Sequence, residues 1–370
     1  MKEEKKRILR LVEQGKITAE EAITLIERLE DDYAAKEESM ISALSTEVLS
    51  QDNSGSQKSE QQSHQKQSTF AAKLIDLIDG AVKKVKELDL DLDLPIGQSQ
   101  DVNHTFQFNG GSLDSLYLQF VYGSVNILPG SGEDIRVECE AKVYRTDSSE
   151  EARTFFLENF AVDLEANKLS IVSDKKTLKT NVTLYIPERN YNDVQVRLFN
   201  GPIRGEHVTA RELKAKTANG MISFQSLSGG SASLETANGQ IKLANNQSKK
   251  IEAETINGII DVNGSPEKLD LQSFNGNIVV DLFNQSCSTL LAKTTTGSID
   301  VYLPEHTPIN GELKSNFGNL SASVKGAEIL TEKNENLQKE LKIGTGDAQQ
   351  ALNLFAETKT GSISIKHNKR

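Results

Sequence analysis

From residue 120 onward apolar and polar positions alternate in short runs, and the same run returns at a nearly constant distance. Asn-Gly pairs stand at 200–201, 219–220, 238–239, 257–258 and 275–276. Gly297, Gly318 and Gly361 continue the series after Thr or Phe, and Gly123 in FVYGSVNILP precedes it. The steps from Gly201 are 19, 19, 19, 18, 21, 21 and 43 residues, the last read as two repeats with a poorly marked one between. Two and four positions after each Gly comes an apolar pair, as in Ile222/Phe224, Ile241/Leu243, Ile260/Val262, Ile278/Val280 and Ile299/Val301. Three positions before it stands Thr or Ser: Thr217, Thr236, Thr255, Ser273, Thr294, Ser315 and Thr358. A period of two on both sides of a Gly predicts strand, tight turn, strand and second turn in each unit.

Two short strands cannot bury an apolar face alone, but stacked copies set Ile on Ile and Thr on Thr in one continuous core. The expected fold is mainly β: a single parallel β-helix of about 19–21 residues per rung, right-handed by analogy with the commoner class. A meander of Asn-Gly hairpins is the competing all-β reading; the regular period and fixed offsets favour the solenoid. On this reading Asn200, Asn219, Asn238, Asn257 and Asn275 stack as an amide ladder at one corner. Gly201, Gly220, Gly239, Gly258 and Gly276 complete the turns, in a left-handed geometry that Asn and Gly tolerate. The Thr and Ser positions are expected to form a similar hydroxyl ladder. Residues 130–195 interrupt the repeat as strand, helix (Ser148 to Phe160) and strand. A second, charged insertion near 325–350 is expected to loop out, and the whole 95–370 region reads as one repeat domain.

Upstream the period changes. Ile8, Leu9, Leu11 and Val12 form one apolar side, Gly15 can close that helix, and Thr18 with Glu21 makes a capping box for a second helix carrying Ala22, Ile23, Leu25, Ile26 and Leu29. Residues 1–33 therefore read as a helical hairpin too small to stand alone, with Ile8, Leu11, Ile23 and Ile26 free to contact a partner or a second copy. Residues 34–68, rich in Ser and Gln, read as a disordered linker. Residues 69–94 read as an amphipathic helix, with Phe70, Leu74, Leu77 and Val85 among its apolar positions, followed by a lead-in strand, LDLDLDL. That helix could dock on the next domain, pair in an oligomer or lie on a membrane surface, and the residues leave all three open.

Composition narrows the function classes. The chain has 370 residues, a formal charge of −11 and 5% aromatics without Trp. That acidity disfavours nucleic-acid binding. Cys139 and Cys287 form no CxxC and suit a reducing compartment. The start, MKEEKKRILRLVEQGK, lacks the apolar core of a secretory signal, and the expected location is the cytoplasm, peripheral to the inner face of the membrane. His64, His104, His207, His306 and His367 are scattered, without HExxH spacing. No nucleophile elbow or phosphate loop occurs, and neither cofactor nor metal is expected. Asp261, Asp281 and Asp300 follow strands at similar offsets; stacked on one face they would suit a carbohydrate-active β-helix enzyme, and otherwise they form a solvated face.

The motifs TANGMISF, TANGQIKL, TINGIIDV, SFNGNIVVDL, TTTGSIDVYLP, FVYGSVNILP and VTLYIP, with the N-terminal hairpin, resemble a bacterial family of YvlB- and LiaG-type β-strand repeat proteins that carries an adhesin label. The run Ile8–Gly15, Lys16, Ile17, Thr18 and Glu20–Leu29 resembles the SHOCT-like short domain. The first resemblance implies a non-enzymatic role near envelope-stress response systems; the second implies oligomerisation or protein partners through the helices. The expected function is a scaffold or interaction protein, with a carbohydrate-active enzyme or a surface adhesin as alternatives.

Overall fold

The computed structural model describes residues 98–334, 338–346 and 351–368. The chain divides into two units, Met1–Ile75 and Asp76–Arg370, and every described residue belongs to the second. The hairpin at 1–33, the linker at 34–68, the segment at 69–94 and with them Ile8, Leu11, Ile23, Ile26, Phe70, Leu74, Leu77 and Val85 lie outside the described residues.

The described residues form 23 strands and one helix: β1 (Ser99–Asn109), β2 (Ser115–Pro129), β3 (Asp134–Tyr144), α1 (Ser149–Asn159), β4 (Ala161–Glu165), β5 (Lys168–Val172), β6 (Leu178–Ile186), β7 (Asn190–Asn200), β8 (Ile203–Glu206), β9 (Thr209–Asn219), β10 (Ile222–Gln225), β11 (Ser228–Asn238), β12 (Ile241–Asn257), β13 (Ile260–Gly264), β14 (Lys268–Asn275), β15 (Ile278–Leu282), β16 (Thr289–Thr296), β17 (Ile299–Leu303), β18 (Ile309–Ser315), β19 (Leu320–Ser323), β20 (Glu328–Asn334), β21 (Lys339–Gly344), β22 (Leu352–Thr358) and β23 (Ile363–His367). The fold is mainly β, and its repeat units stack in parallel. Strands before each Gly turn form one ladder, running β2, β7, β9, β11, β12, β14, β16, β22 and β18. Strands after the turn form a second, running β2, β8, β10, β12, β13, β15, β17, β23 and β19.

The period-two pattern sets which side chains face inward. In β16 and β17 every second residue is buried, and Ile222, Ile241, Ile260, Ile278, Ile299 and Ile363 stand in register down the second ladder, each fully buried. A one-residue slip would turn this column outward, so burial itself fixes the register. Large and small buried residues alternate down three rungs of the first ladder: Leu213/Ala215, then Ala232/Leu234, then Ile251/Ala253. Gly205 makes room for a ring; a Cβ there would lie 2.5 Å from Phe224 Cε1.

Both ends depart from the linear stack that the spacing suggests. At one end β2 is flanked by β5 and β6 as well as by β7 and β8. The stretch 130–195 therefore does not only interrupt the repeat; it supplies a rung on the far side of β2. At the other end β22 and β23 lie between β16/β17 and β18/β19. The chain passes over one rung position, builds the outermost rung, and returns to fill the gap. The 43-residue step is thus a skipped position filled later, not a weak repeat.

The second charged insertion does not loop out. Its β20 and β21 form an antiparallel hairpin paired to β18. Antiparallel strands also close the other end, where β1 pairs β3, β3 pairs β6 and β4 pairs β5. A parallel stack left bare presents unpaired amides and carbonyls at each end, and these strands cover them. Helix α1 starts where Ser148 Oγ accepts a hydrogen bond from the Glu151 amide, with Glu150 and Glu151 suited to the positive end of the helix dipole. It buries Ala152 and Phe156, and Phe156 stacks on Phe160, which meets the Phe120 ring edge-on at 5.8 Å.

Candidate functional site

The Asn-Gly corner is built from three interlocking contacts. Asn219, Asn238, Asn257 and Asn275 each donate from Nδ2 to the Oδ1 of the preceding Asn, beginning at Asn200, over 2.7, 2.9, 2.9 and 3.0 Å. The Gly201, Gly220, Gly239 and Gly258 amides donate to the carbonyl of the Asn one rung further on, over 2.8–3.0 Å. The Gly carbonyls accept from the next rung's hydroxyl: Thr217 to Gly201, Thr236 to Gly220, Thr255 to Gly239, Ser273 to Gly258, Thr294 to Gly276, Thr358 to Gly297 and Ser315 to Gly361, all at 2.9–3.1 Å. The hydroxyls therefore do not bond one another, as a simple hydroxyl ladder would. They satisfy the part-buried turn carbonyls.

Glycine is required there mainly by proximity. A Cβ on Gly220, Gly239, Gly258 or Gly276 would lie 1.8–2.1 Å from the carbonyl oxygen of the Gly below. None of these four has positive φ, and neither does any of the five Asn. Positive φ at this corner is confined to Gly123, Gly201 and Gly297, at 140°, 139° and 146°, and a second run of it lies at the opposite corner. There His207, Ser226 and Asn245, spaced by 19 residues, have φ of 53°, 57° and 54°. Sequence reading missed this second ladder, because the residue types at the position differ from rung to rung.

The acidic cluster does not form. Asp261 and Asp300 are separated in their column by Val279, and Asp281 stands in another column beside Asn263 and Tyr302. Among the described residues no group of three or more His, Cys, Asp or Glu could hold a metal ion, and no helix is long and apolar enough to cross a membrane. Burial pushes the Cys139 thiol up to about 12 and the Cys287 thiol up to about 11. Neither is a thiolate nucleophile at neutral pH.

Two open grooves flank the stack. One, of about 430 Å³, runs beside the positive-φ corner and includes His207, Ser226, Asn245 and Arg189, whose guanidinium is engaged by Glu133. The other, of about 540 Å³, lies where the Asn ladder ends, between β2, β6 and β8, and includes Tyr122, Tyr144, Lys176, Lys179, Asn181 and Arg204.

Parallel rungs joined by side-chain ladders define a solenoid-like β-repeat protein. A family model described as Toastrack DUF4097 matches residues 114–366, and a SHOCT-like domain model matches residues 3–33. The chain belongs to the Toastrack DUF4097 family. It is 52% identical over 371 residues to "Uncharacterized protein YvlB" of Bacillus subtilis (strain 168), covering 100% of both chains. Among solved structures, it overlaps a "putative adhesin" from Bacteroides fragilis at 13% identity, over 72% of this chain and 97% of that one, with a TM-score of 0.32. It overlaps a "putative lipid binding protein" from Parabacteroides distasonis at 11% identity, over 72% and 97%, with a TM-score of 0.33. Overlaps this loose fix neither fold detail nor function.

Proposed function

We propose that the protein is a non-enzymatic scaffold: a solenoid of the parallel β-helix type that carries helical contact modules at 1–33 and 69–94. The observation that carries this reading is the use made of the repeat's polar side chains. The Asn amides and the Thr and Ser hydroxyls bond the neighbouring rung, so the recurrent residues serve stacking and not a reaction. The SHOCT-like match at 3–33 supports partner contact or self-association through the helices. The resemblance to YvlB- and LiaG-type proteins is the ground for assigning this scaffold to the envelope-stress response, and a cytoplasmic place at the inner face of the membrane is part of the same proposal. Sedimentation of the full-length protein and of a chain lacking residues 1–33, together with pull-downs from native membranes with and without residues 1–94, tests this. Loss of self-association and of the recovered partners on deletion agrees with the proposal; identical behaviour of full-length and truncated chains overturns it.

A further inference from the structure

The groove at the end of the Asn ladder differs in its chemistry from an acidic chain as a whole. No carboxylate lines it, whereas Lys176, Lys179 and Arg204 do. Several cations on other strands stand beside acids: Lys216 with Glu235 at 2.8 Å, Lys314 with Glu312 at 2.8 Å, and Lys293 with Glu357 at 3.6 Å. Lys176, Lys179 and Arg204 join no ion pair among the described residues. The nearest acid on the adjoining strand is Glu140, opposite Asn181 in the β3–β6 pairing but outside the groove lining.

The neutral groups in the groove are also arranged as donors. The amide ladder runs toward Asn200 and stops there, because Tyr122 occupies the facing position on β2. Asn200 accepts from Asn219, and its own Nδ2 donates to nothing among the described residues. Asn181 accepts at Oδ1 from Ser124 Oγ over 3.0 Å, which leaves its Nδ2 free in the same way. Three cations and two amide donors therefore face one open volume, with the Tyr122 and Tyr144 rings at its wall. Donors and positive charge without an acceptor partner are what an oxyanion requires, and Arg and Lys together suit phosphoryl oxygens. The volume is in the range that holds a small molecule.

We propose that this groove binds a phosphoryl-bearing ligand, with Lys179 and Arg204 gripping the phosphoryl oxygens and the Asn181 and Asn200 amides completing the contact. The site goes beyond the scaffold reading and stands or falls without it. The phosphoryl group can belong to a free phosphate compound or to a lipid headgroup, and two probes separate these. The full-length protein is titrated calorimetrically with inorganic pyrophosphate at low ionic strength, and sedimented with phosphatidylglycerol vesicles. Four chains are compared: wild type, the exposed double variant Lys179→Gln/Arg204→Gln, Glu140→Gln, and the remote surface control Lys268→Gln.

Saturable binding of at least one probe is expected. It weakens at least about tenfold in the double variant, tightens in Glu140→Gln, and is unchanged in Lys268→Gln. Pyrophosphate binding without vesicle binding assigns a free phosphate compound; vesicle binding lost in the double variant assigns a headgroup. If neither probe binds saturably, or if Lys268→Gln weakens binding as much as the double variant, the proposal is overturned.

Discussion

Gly239→Ala probes the stacking mechanism at the middle of the repeat. The added Cβ would sit 1.9 Å from the Gly220 carbonyl oxygen, 2.6 Å from its carbon and 3.1 Å from Thr236 Oγ1. The obstacle is backbone, so no side-chain rotation relieves it. Clearing it needs a separation of about 1 Å between rungs that a ladder holds about 4.8 Å apart. That movement disrupts the Thr236 Oγ1 to Gly220 carbonyl bond at 3.0 Å and the Gly220 amide to Asn238 carbonyl bond at 3.0 Å. Two hydrogen bonds at about 1 kcal/mol each, with about 1–3 kcal/mol of overpacking strain, give a loss of about 3–5 kcal/mol. In a domain of this size the thermal midpoint should fall by roughly 10 °C. Gly111→Ala is the control, since its Cβ meets only the end of a side chain, Asn109 Oδ1, at 3.2 Å; it should change stability by less than about 1 kcal/mol. Thermal and urea unfolding followed by far-UV circular dichroism reads both. A Gly239→Ala protein as stable as the Gly111→Ala protein would refute the close-approach argument.

Three further outcomes follow from the same contacts. Thr236→Val keeps the buried shape but leaves the Gly220 carbonyl without its donor; it should cost about 1–3 kcal/mol in urea unfolding, while Thr236→Ser should restore most of that. Cys139 and Cys287 are buried with raised pKa values of about 12 and about 11, so a thiol reagent at pH 8 should label neither in the native protein and both in denaturant. Burial pushes the Glu312 pKa up, but hydrogen bonds and charge from Lys314 and Lys342 outweigh that and hold it below the usual carboxylate value. A lowered folded pKa stabilises the protein above the unfolded value and is lost as the pH falls through the folded one. Glu312→Gln should therefore lower the thermal midpoint at pH 7, with the gap to wild type closing below about pH 4.

The middle of the stack was legible because one local signal, Gly with Thr three before and an apolar pair after, meets the same neighbours on every rung. Gly220, Gly239 and Gly258 each rest on the Gly of the preceding repeat. The ends were not legible from the same signal. Gly361 rests on Gly297, and Gly318 rests on Gly361, yet nothing in the local spacing says that a later segment fills an earlier gap. Strand order there depends on which edges remain open once the chain has turned back, a long-range property. The positive-φ corner was hidden for a different reason: His207, Ser226 and Asn245 share a backbone conformation, not a side chain. The cationic groove is assembled from β2, β6, β8 and the turn before β6, so Lys176, Lys179 and Arg204 come together only because the β5/β6 rung stacks on the far side of β2.

The order β16, β22, β18 at the other end is the claim on which the architecture rests, and cysteine cross-linking tests it directly. In the structure Lys293 on β16 is in register with Glu357 on β22, and β22 separates it from Lys314 on β18. A linear stack would instead set Lys293 beside Lys314, one 21-residue step away. Under mild oxidation the Lys293→Cys/Glu357→Cys protein should form an intramolecular disulfide, and the Lys293→Cys/Lys314→Cys protein should not. The opposite result would contradict the threaded end and return the chain to a simple linear repeat.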